Sequence, residues 1–363
     1  MTKVLFDHQI FLEQKYGGIS RYFKYLIDGI KKEREIDYDL SVIRSDNYYI
    51  RDEPQLLKNS IFNPLFKTHA KLLKHSNSYS KYLLKKNDFS IFHPTYFNTY
   101  FLDHLKKPLV ITVHDMTYEA LPHFFPSTDA LPFYKRLLME KADRIIAISE
   151  TTKADILRYN NVKEHKIEVI HHGIDLSEPK YEIIENLPEK YLLFVGARWS
   201  YKNFFMVASA FKILLSQYPE LKLVLAGGGP LTFGDSEFLM RNNILEKTIQ
   251  ISATDKQLNT LYKNAQCFIY PSLYEGFGLP ILEAFKNNCP VLLSDSSCFK
   301  EVAGDAANYF DHLSLESLVD EIEKLLCNQA FTAKLINNGS NKLMNYSIER
   351  CVSKTVDLYK TII

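Results

Sequence analysis

Two glutamates eight positions apart, Glu275 and Glu283, enclose the turn Gly276-Phe277-Gly278-Leu279-Pro280. Carboxylates placed this way can accept hydrogen bonds from the hydroxyls of a ribose or a sugar. The strand-like run AQCFIYPS leads in and the helix-like run PILEAFKN leads out. Pro280 suits a first helical position, where its missing N–H costs nothing. Glu275 is then expected in the loop and Glu283 in the first helical turn, facing the same crevice. The amides of Gly278 and Leu279 are expected to point there too, as helix N-termini do toward phosphates. The competing reading is local, with Glu283 complementing the helix dipole and Glu275 a solvated loop acid.

Other loops carry further candidates. In FVGARWSYKN, Lys202 is a compact point charge and Arg198 a bidentate donor, both suited to a leaving group that gains negative charge; the alternative is two exposed loop cations. His114 and Asp115 follow the strand-like LVITV, and a histidine at a strand's carboxyl end can donate to a sugar hydroxyl and stabilise developing charge. Asp115 and Tyr118 either orient that ring or bind an acceptor. Gly17 and Gly18, within Tyr16-Gly17-Gly18-Ile19-Ser20, precede the helical run RYFKYLIDGIKK. They let backbone amides approach a phosphate or sugar, or they form an ordinary turn with Ser20 as N-cap. LVLAGGGP lacks the spacing of a dinucleotide-binding glycine loop and reads as a tight strand-to-loop turn.

The elements that must hold these loops alternate between short β-rich runs and amphipathic helical stretches, the pattern of parallel sheets flanked by helices. Strands are expected at VLFD, YDLSVI, IFHP, LVITVHD, RIIAIS and IEVIHH, then at YLLFVG, KLVLAG, IQIS, CFIYPS and PVLLSD. Between the two sets, GIDLSEPKYEIIENLPEK is polar, carries two prolines and reads as a linker. The fold class is α/β, two tandem Rossmann-like domains over 1–172 and 190–345 with a cleft between them, and ligands are expected at the carboxyl ends of the strands.

Bulk properties exclude other classes. A chain of 363 residues is long for one core. A net charge of +1 argues against a polyanion-directed protein, although 26 basic side chains face 22 acidic ones up to Asp175 and 18 face 21 after it. Five cysteines with no CxxC pair read as reduced, buried thiols of a cytoplasmic protein. MTKVLFDHQIF reads as a first strand and not as a leader, and no apolar run approaches the length of a membrane span. No metal cluster is expected: Asp37-Tyr38-Asp39 leads into a strand, and His171-His172 falls in an interdomain loop. The segment 54–87 holds seven lysines and no acid, interleaved with Phe62, Phe66, Tyr79 and Tyr82. It is either a helical surface for anionic lipid or a lipid-diphosphate acceptor, or a solvated helix with its leucines on its own core. Nucleic acid is not expected, since no recognised module accompanies the charge.

Taken in order, KYGGISRYF, ITVHDMTYE, DRIIAISETTKADI, VIHHGID, FVGARWSYKNF, LVLAGGGP, EGFGLPILEA and KEVAGDAANYF resemble glycosyltransferase family 4, retaining nucleotide-sugar-dependent enzymes of the GT-B fold. Glu275 to Glu283 matches the family's Glu-x7-Glu signature. The resemblance implies donor binding by Gly17, Gly18, Phe277, Gly278, Leu279 and Glu283, with Glu275, His114, Lys202 and Arg198 as the catalytic set. Arg198 stands one position later than the arginine of the commonest family pattern. The resemblance further implies a last helix, 347–363, packed back on the N-terminal domain, and a base held near ISATDKQLNTLY. It implies a nucleotide-sugar donor, a glycan or lipid-linked acceptor, and no cofactor or metal. The HDMTYE and YKN wording is similar to bacterial O-antigen or capsule mannosyltransferases, which makes mannose from GDP-mannose the first expectation. A sugar-nucleotide 2-epimerase and a non-catalytic nucleotide-sugar-binding protein are the alternatives.

Overall fold

The computed structural model describes residues 2–57, 68–198 and 200–362. The chain forms two compact units: Met1–Glu119, Phe125–Gly173 and Ile348–Ile363 make the first, and Ala120–Phe124 with Ile174–Ser347 the second.

In the first unit, β1 (Thr2–Phe6), β2 (Ile36–Leu40) and β3 (Ile91–His93) form a parallel sheet in the order β2-β1-β3, and β4 (Val110–Val113), β5 (Arg144–Ala147) and β6 (Ile167–Val169) a second in the order β4-β5-β6. A parallel bridge from Phe92 to Leu109 joins the two. All four residues of β4 are buried, as expected of parallel strands covered on both faces. The core gathers Phe6, Phe23, Leu26, Ile27, Ile91, Val110 and Ile146, and Val352, Val356 and Tyr359 from the helix Ile348–Lys360. That helix packs on the helix Gly18–Ile30 at Gly29, where an added Cβ would lie 2.3 Å from a Val352 methyl. Glycine is what lets these two backbones approach.

The second unit holds one six-stranded parallel sheet in the order β12-β11-β10-β7-β8-β9. Its strands are β7 (Tyr191–Val195), β8 (Lys222–Ala226), β9 (Thr248–Ile251), β10 (Cys267–Tyr270), β11 (Val291–Ser294) and β12 (Asn308–Phe310). Eleven of the twelve strands coincide with runs expected from sequence. The twelfth, β12, is three residues long and lies in a stretch with little β-rich character.

Two segments and one cysteine differ from expectation. The polar stretch 174–190 is fastened to the second unit: the Ile174 amide donates to the Tyr346 carbonyl at 2.8 Å, Asn259 Nδ2 to the Lys180 carbonyl at 3.0 Å, and Thr260 Oγ1 to the Glu182 carbonyl at 2.7 Å. The basic segment forms a helix, His69–Lys86, whose fully buried positions are Ser76, Ser80 and Leu84. Its inner face is therefore largely polar, with Asn77 and Ser80 bonded to the two ring nitrogens of His8 at 2.9 and 3.0 Å. Lys71, Lys74, Lys85 and Lys86 are exposed, whereas Lys58, Phe62, Phe66 and Lys67 lie outside the described residues. Four cysteines are buried thiols as expected, and Cys327 is exposed.

Candidate functional site

In the second unit the chain runs from β7 through β8 to β9 on one side, then from β10 through β11 to β12 on the other. The order reverses between β7 and β10, and the carboxyl ends of strands at such a reversal are where open α/β sheets bind ligands. The loops leaving these two strands carry Lys202 and Glu275. They are tied together by the Leu273 amide, which donates to the Tyr201 carbonyl at 2.9 Å. Lys202 Nζ and Glu275 Oε1 form an ion pair whose side chains are 18% and 14% exposed. The ammonium also lies 5.1 Å from the Tyr201 ring centroid and 5.9 Å from that of Tyr270. The Tyr270 phenol hydrogen-bonds Glu275, and burial together with that carboxylate keeps it well above the usual phenol range. A neutral hydroxyl and a cation thus share one partly buried carboxylate, so neither charge of the pair is left unsatisfied.

After Glu275, the helix Leu279–Lys286 begins behind Gly278, which sits in the left-handed region at φ +96°. An added Cβ there would lie 3.0 Å from Ile281 Cδ1 and 3.1 Å from Phe299 Cε1. Pro280 is the second helical residue, and the Leu279 amide ahead of it has no intrahelical acceptor. Glu283 is the fifth helical residue, one position deeper than the first-turn placement expected from sequence, and accepts a hydrogen bond from Tyr262 at 3.2 Å. Phe277 is buried and meets Tyr346 edge-on at 5.6 Å.

Arg198 requires a correction. It does not present its fork to a diphosphate, because its donors are taken up inside the protein. Nε donates to Asp235 Oδ2 at 3.0 Å, Nη1 to the Gly227 carbonyl at 3.2 Å, and Nη2 to the carbonyls of Gly228, Gly229 and Pro230 at 3.4, 2.9 and 2.7 Å. Gly227, Gly228 and Gly229 all have positive φ. That turn aims successive carbonyls to one side, where a planar, permanently charged guanidinium can collect them. Asp235 completes the brace and also caps its own helix through the Thr232 amide. Arg198 therefore holds the glycine turn in shape.

In the first unit, Gly18 opens the helix Gly18–Ile30 with Gly17 as N-cap. Ser20 is not the cap: it lies inside the first turn, its hydroxyl donating to the Gly17 carbonyl at 3.1 Å and its amide to Gln14 Oε1 at 3.2 Å. The helix start leaves the Gly18 and Ile19 amides without intrahelical acceptors.

His114 follows β4 and is 8% exposed. Its Nδ1 lies 3.4 Å from Nε2 of His172, with the two ring planes 13° from parallel. Its Nε2 is buried and has no hydrogen-bond partner. Burial, with a smaller contribution from His93, pushes its pKa down to about 3, so the ring is neutral at pH 7. His172 is likewise held well below the usual range by burial, then by His114 and Arg21. Asp115 is not the group that orients His114. It accepts the Thr117 amide at 2.9 Å, while Tyr118 donates to Asp129 at 3.0 Å and stacks on Phe125. Sequence reasoning missed His172, whose only signal was a His-His pair read as loop.

Among the described residues one trio has metal-ligand proximity: Asp295, Asp311 and His312, just beyond the ends of β11 and β12. Its members are half-buried or exposed, with His312 Nδ1 2.5 Å from Asp295 Oδ1. Asp295 lies sixteen positions before the adjacent Asp311 and His312, so spacing alone did not bring the trio to notice.

Two parallel α/β units, each gathering polar side chains at the carboxyl ends of its strands, have the architecture of the GT-B fold. Residues 16–178 match the model of Glycosyltransferase Family 4 and residues 178–342 that of Glycosyl transferases group 1; the chain belongs to glycosyltransferase family 4. It is 30% identical over 229 residues to the O-antigen chain mannosyltransferase RfbU of Salmonella typhimurium, an alignment spanning 61% of this chain and 62% of that relative. It is 26% identical over 281 residues to O-antigen chain mannosyltransferase B of Escherichia coli, spanning 72% and 73%. Among solved structures, the sucrose-phosphate synthase of Thermosynechococcus elongatus superposes with a TM-score of 0.76 at 18% identity over 99% of both chains. Among the described residues no helix is long and apolar enough to cross a membrane.

Proposed function

We propose that this protein is a retaining hexosyltransferase of cell-surface polysaccharide synthesis. It would transfer mannose from GDP-mannose to a glycan or lipid-linked glycan, without a metal. The observation that carries the reading is the Lys202–Glu275 pair at the strand reversal between β7 and β10. An ammonium paired with a carboxylate can exchange that partner for a diphosphate, and the freed carboxylate is then available to sugar hydroxyls. Lys202 neutralises the leaving diphosphate, Glu275 positions the donor sugar, and Glu283 accepts from ribose hydroxyls. The amides of Gly18 and Leu279, with Gly17, Phe277 and Gly278 shaping their loops, contact the donor. His114 offers its unpartnered Nε2 to a sugar hydroxyl.

The reaction on this reading is a same-face substitution. The acceptor oxygen bonds to the anomeric carbon as the bond from that carbon to the phosphate oxygen breaks, and the acceptor proton passes to the departing phosphate. The names of the two mannosyltransferases support the choice of sugar. The exposed lysines of the helix His69–Lys86 favour contact with an anionic membrane carrying the acceptor, and Asp115 and Tyr118 remain acceptor-side candidates.

The test is a transfer assay with GDP-mannose, GDP-fucose, UDP-glucose, UDP-galactose and dTDP-rhamnose against lipid-extracted acceptors, with EDTA present. The anomeric configuration of the product is then read by NMR. Transfer from GDP-mannose with retained configuration is the expected result. Inverted product, a requirement for added metal, or release of an isomeric nucleotide-sugar without acceptor would each overturn the corresponding part.

A further inference from the structure

The reading of His114 as a sugar contact leaves open what decides whether its Nε2 offers a proton or a lone pair. A neutral imidazole carries one N–H on one of two nitrogens, and the partner of the other nitrogen fixes which. We infer that His172 is a positioning residue that sets the tautomer of His114, and through it the hydrogen-bonding sense of the nitrogen facing the donor sugar. This inference rests on the proposed role of His114.

Three observations meet at this pair. First, His114 Nδ1 and His172 Nε2 are 3.4 Å apart, in rings whose planes are 13° from parallel and whose centroids are 5.4 Å apart. The ring planes are near-parallel, and at this separation an N–H of one ring can reach the lone pair of the other. Second, both rings are buried and neutral, so the contact takes one proton and not two. Third, His114 Nε2 is buried and without a partner. A polar atom so placed is costly unless a ligand completes it.

If His172 donates, His114 carries its proton on Nε2 and donates to the sugar; if His172 accepts, the same atom accepts from a sugar hydroxyl. Each sense of the contact admits one tautomer of His114. The surroundings keep the pair in register: Tyr22 packs edge-on against both rings, at 5.3 and 4.9 Å, and its hydroxyl lies 3.2 Å from Thr112 Oγ1. Thr112 Oγ1 in turn lies 3.0 Å from Nε2 of His93, whose Nδ1 is 2.6 Å from the Tyr359 hydroxyl. A ring wedged this way cannot turn over to seek another partner for Nδ1, so the proton position follows from His172.

The experiment is 15N NMR of the full-length protein labelled at histidine, with the His114 signals assigned by their loss in His114→Gln, in wild type, His172→Phe and His172→Gln. His172→Phe keeps an aromatic ring against Tyr22 and removes both nitrogens, while His172→Gln returns a single polar group. The expected result is one tautomer of His114 in wild type and a mixture of the two in His172→Phe, with the single form recovered at least in part in His172→Gln. Donor turnover should fall about tenfold or more in His172→Phe at nearly unchanged donor KM, since a misplaced proton weakens an interaction made in the transition state. An unchanged tautomer in His172→Phe overturns the inference whether or not the protein is a transferase. A changed tautomer with unchanged kcat overturns the catalytic part alone. Absence of transfer in wild type with every donor would count against the proposed function, while the NMR comparison still decides the pairing.

Discussion

At the strand ends of the first unit, His93, His114 and His172 meet burial by staying neutral. At those of the second, Lys202 with Glu275 and Arg198 with Asp235 meet it by pairing. Both are answers to the same cost of removing charge from water. They leave different capacities behind. Neutral rings offer directional hydrogen bonds that suit uncharged hydroxyls, whereas an ion pair can be opened and re-partnered by an anion. The second unit shows the distinction on a finer scale, because its two cations stand four residues apart in sequence. Arg198 is 7% exposed with its guanidinium taken up by Asp235 and a row of carbonyls, whereas Lys202 pairs with the Glu275 carboxylate beside two tyrosine rings at a strand reversal. Charge type and proximity did not separate these two residues; the carbonyls they meet did.

The largest effect expected from this contrast is on stability. Arg198→Ala leaves Asp235 and a row of carbonyls unpaired, and loss of one partner of a buried pair costs about 3–5 kcal/mol. Urea unfolding should show a clear fall in midpoint. A stable Arg198→Ala that loses nucleotide-sugar binding would break the comparison and return Arg198 to the donor site. Next comes Lys202→Ala, for which the loss of one preorganised charge should lower kcat about 10²–10³-fold, measured by transfer. A wild-type rate in that variant would mean the pair at the reversal is structural.

A smaller effect separates the neutral rings by pH. His93 and His114 are pushed down to about 3 by burial from a usual value of 6.5. Between those values the unfolded chain binds more protons than the folded one, so the stability these rings contribute is present above about 6.5 and lost as pH falls toward 3. Thermal melting from pH 7.5 to 4.5 should show a decline that is shallower in His114→Phe; parallel curves would contradict the neutral assignment. Smallest is Gly278→Ala, where a side chain at φ +96° should cost about 1–3 kcal/mol and blunt donor binding, read by melting with and without ligand.

Much of this architecture was legible in the residues. Parallel strands buried on both faces read as apolar runs, which is why eleven strands stood out, and Lys202 and Glu275 were noticed because charged groups follow such runs. What stayed hidden depended on partners distant in sequence. Nothing near Arg198 says that the carbonyls of Gly227–Pro230 turn toward it, because three successive left-handed glycines are a backbone property with several outcomes. His172 looked like half of a loop dipeptide until β4 and β6 brought it to His114. One of the two readings of the basic segment put its leucines on its own core; in the helix His69–Lys86 Leu84 is covered, but so are Ser76 and Ser80, because the surface they meet presents His8 and Ser41.

The central claim is that the carboxyl end of the second unit's sheet is the donor site. Its most direct test is a thermal-shift panel of nucleotide-sugars and free nucleotides on wild type and Glu283→Ala. A ligand at about a hundred times its dissociation constant adds roughly 2.7 kcal/mol, enough for a clear shift. The account predicts a shift with guanine nucleotides, largest with GDP-mannose, that is lost in Glu283→Ala. A shift of equal size in the mutant, or none with any nucleotide, would contradict it.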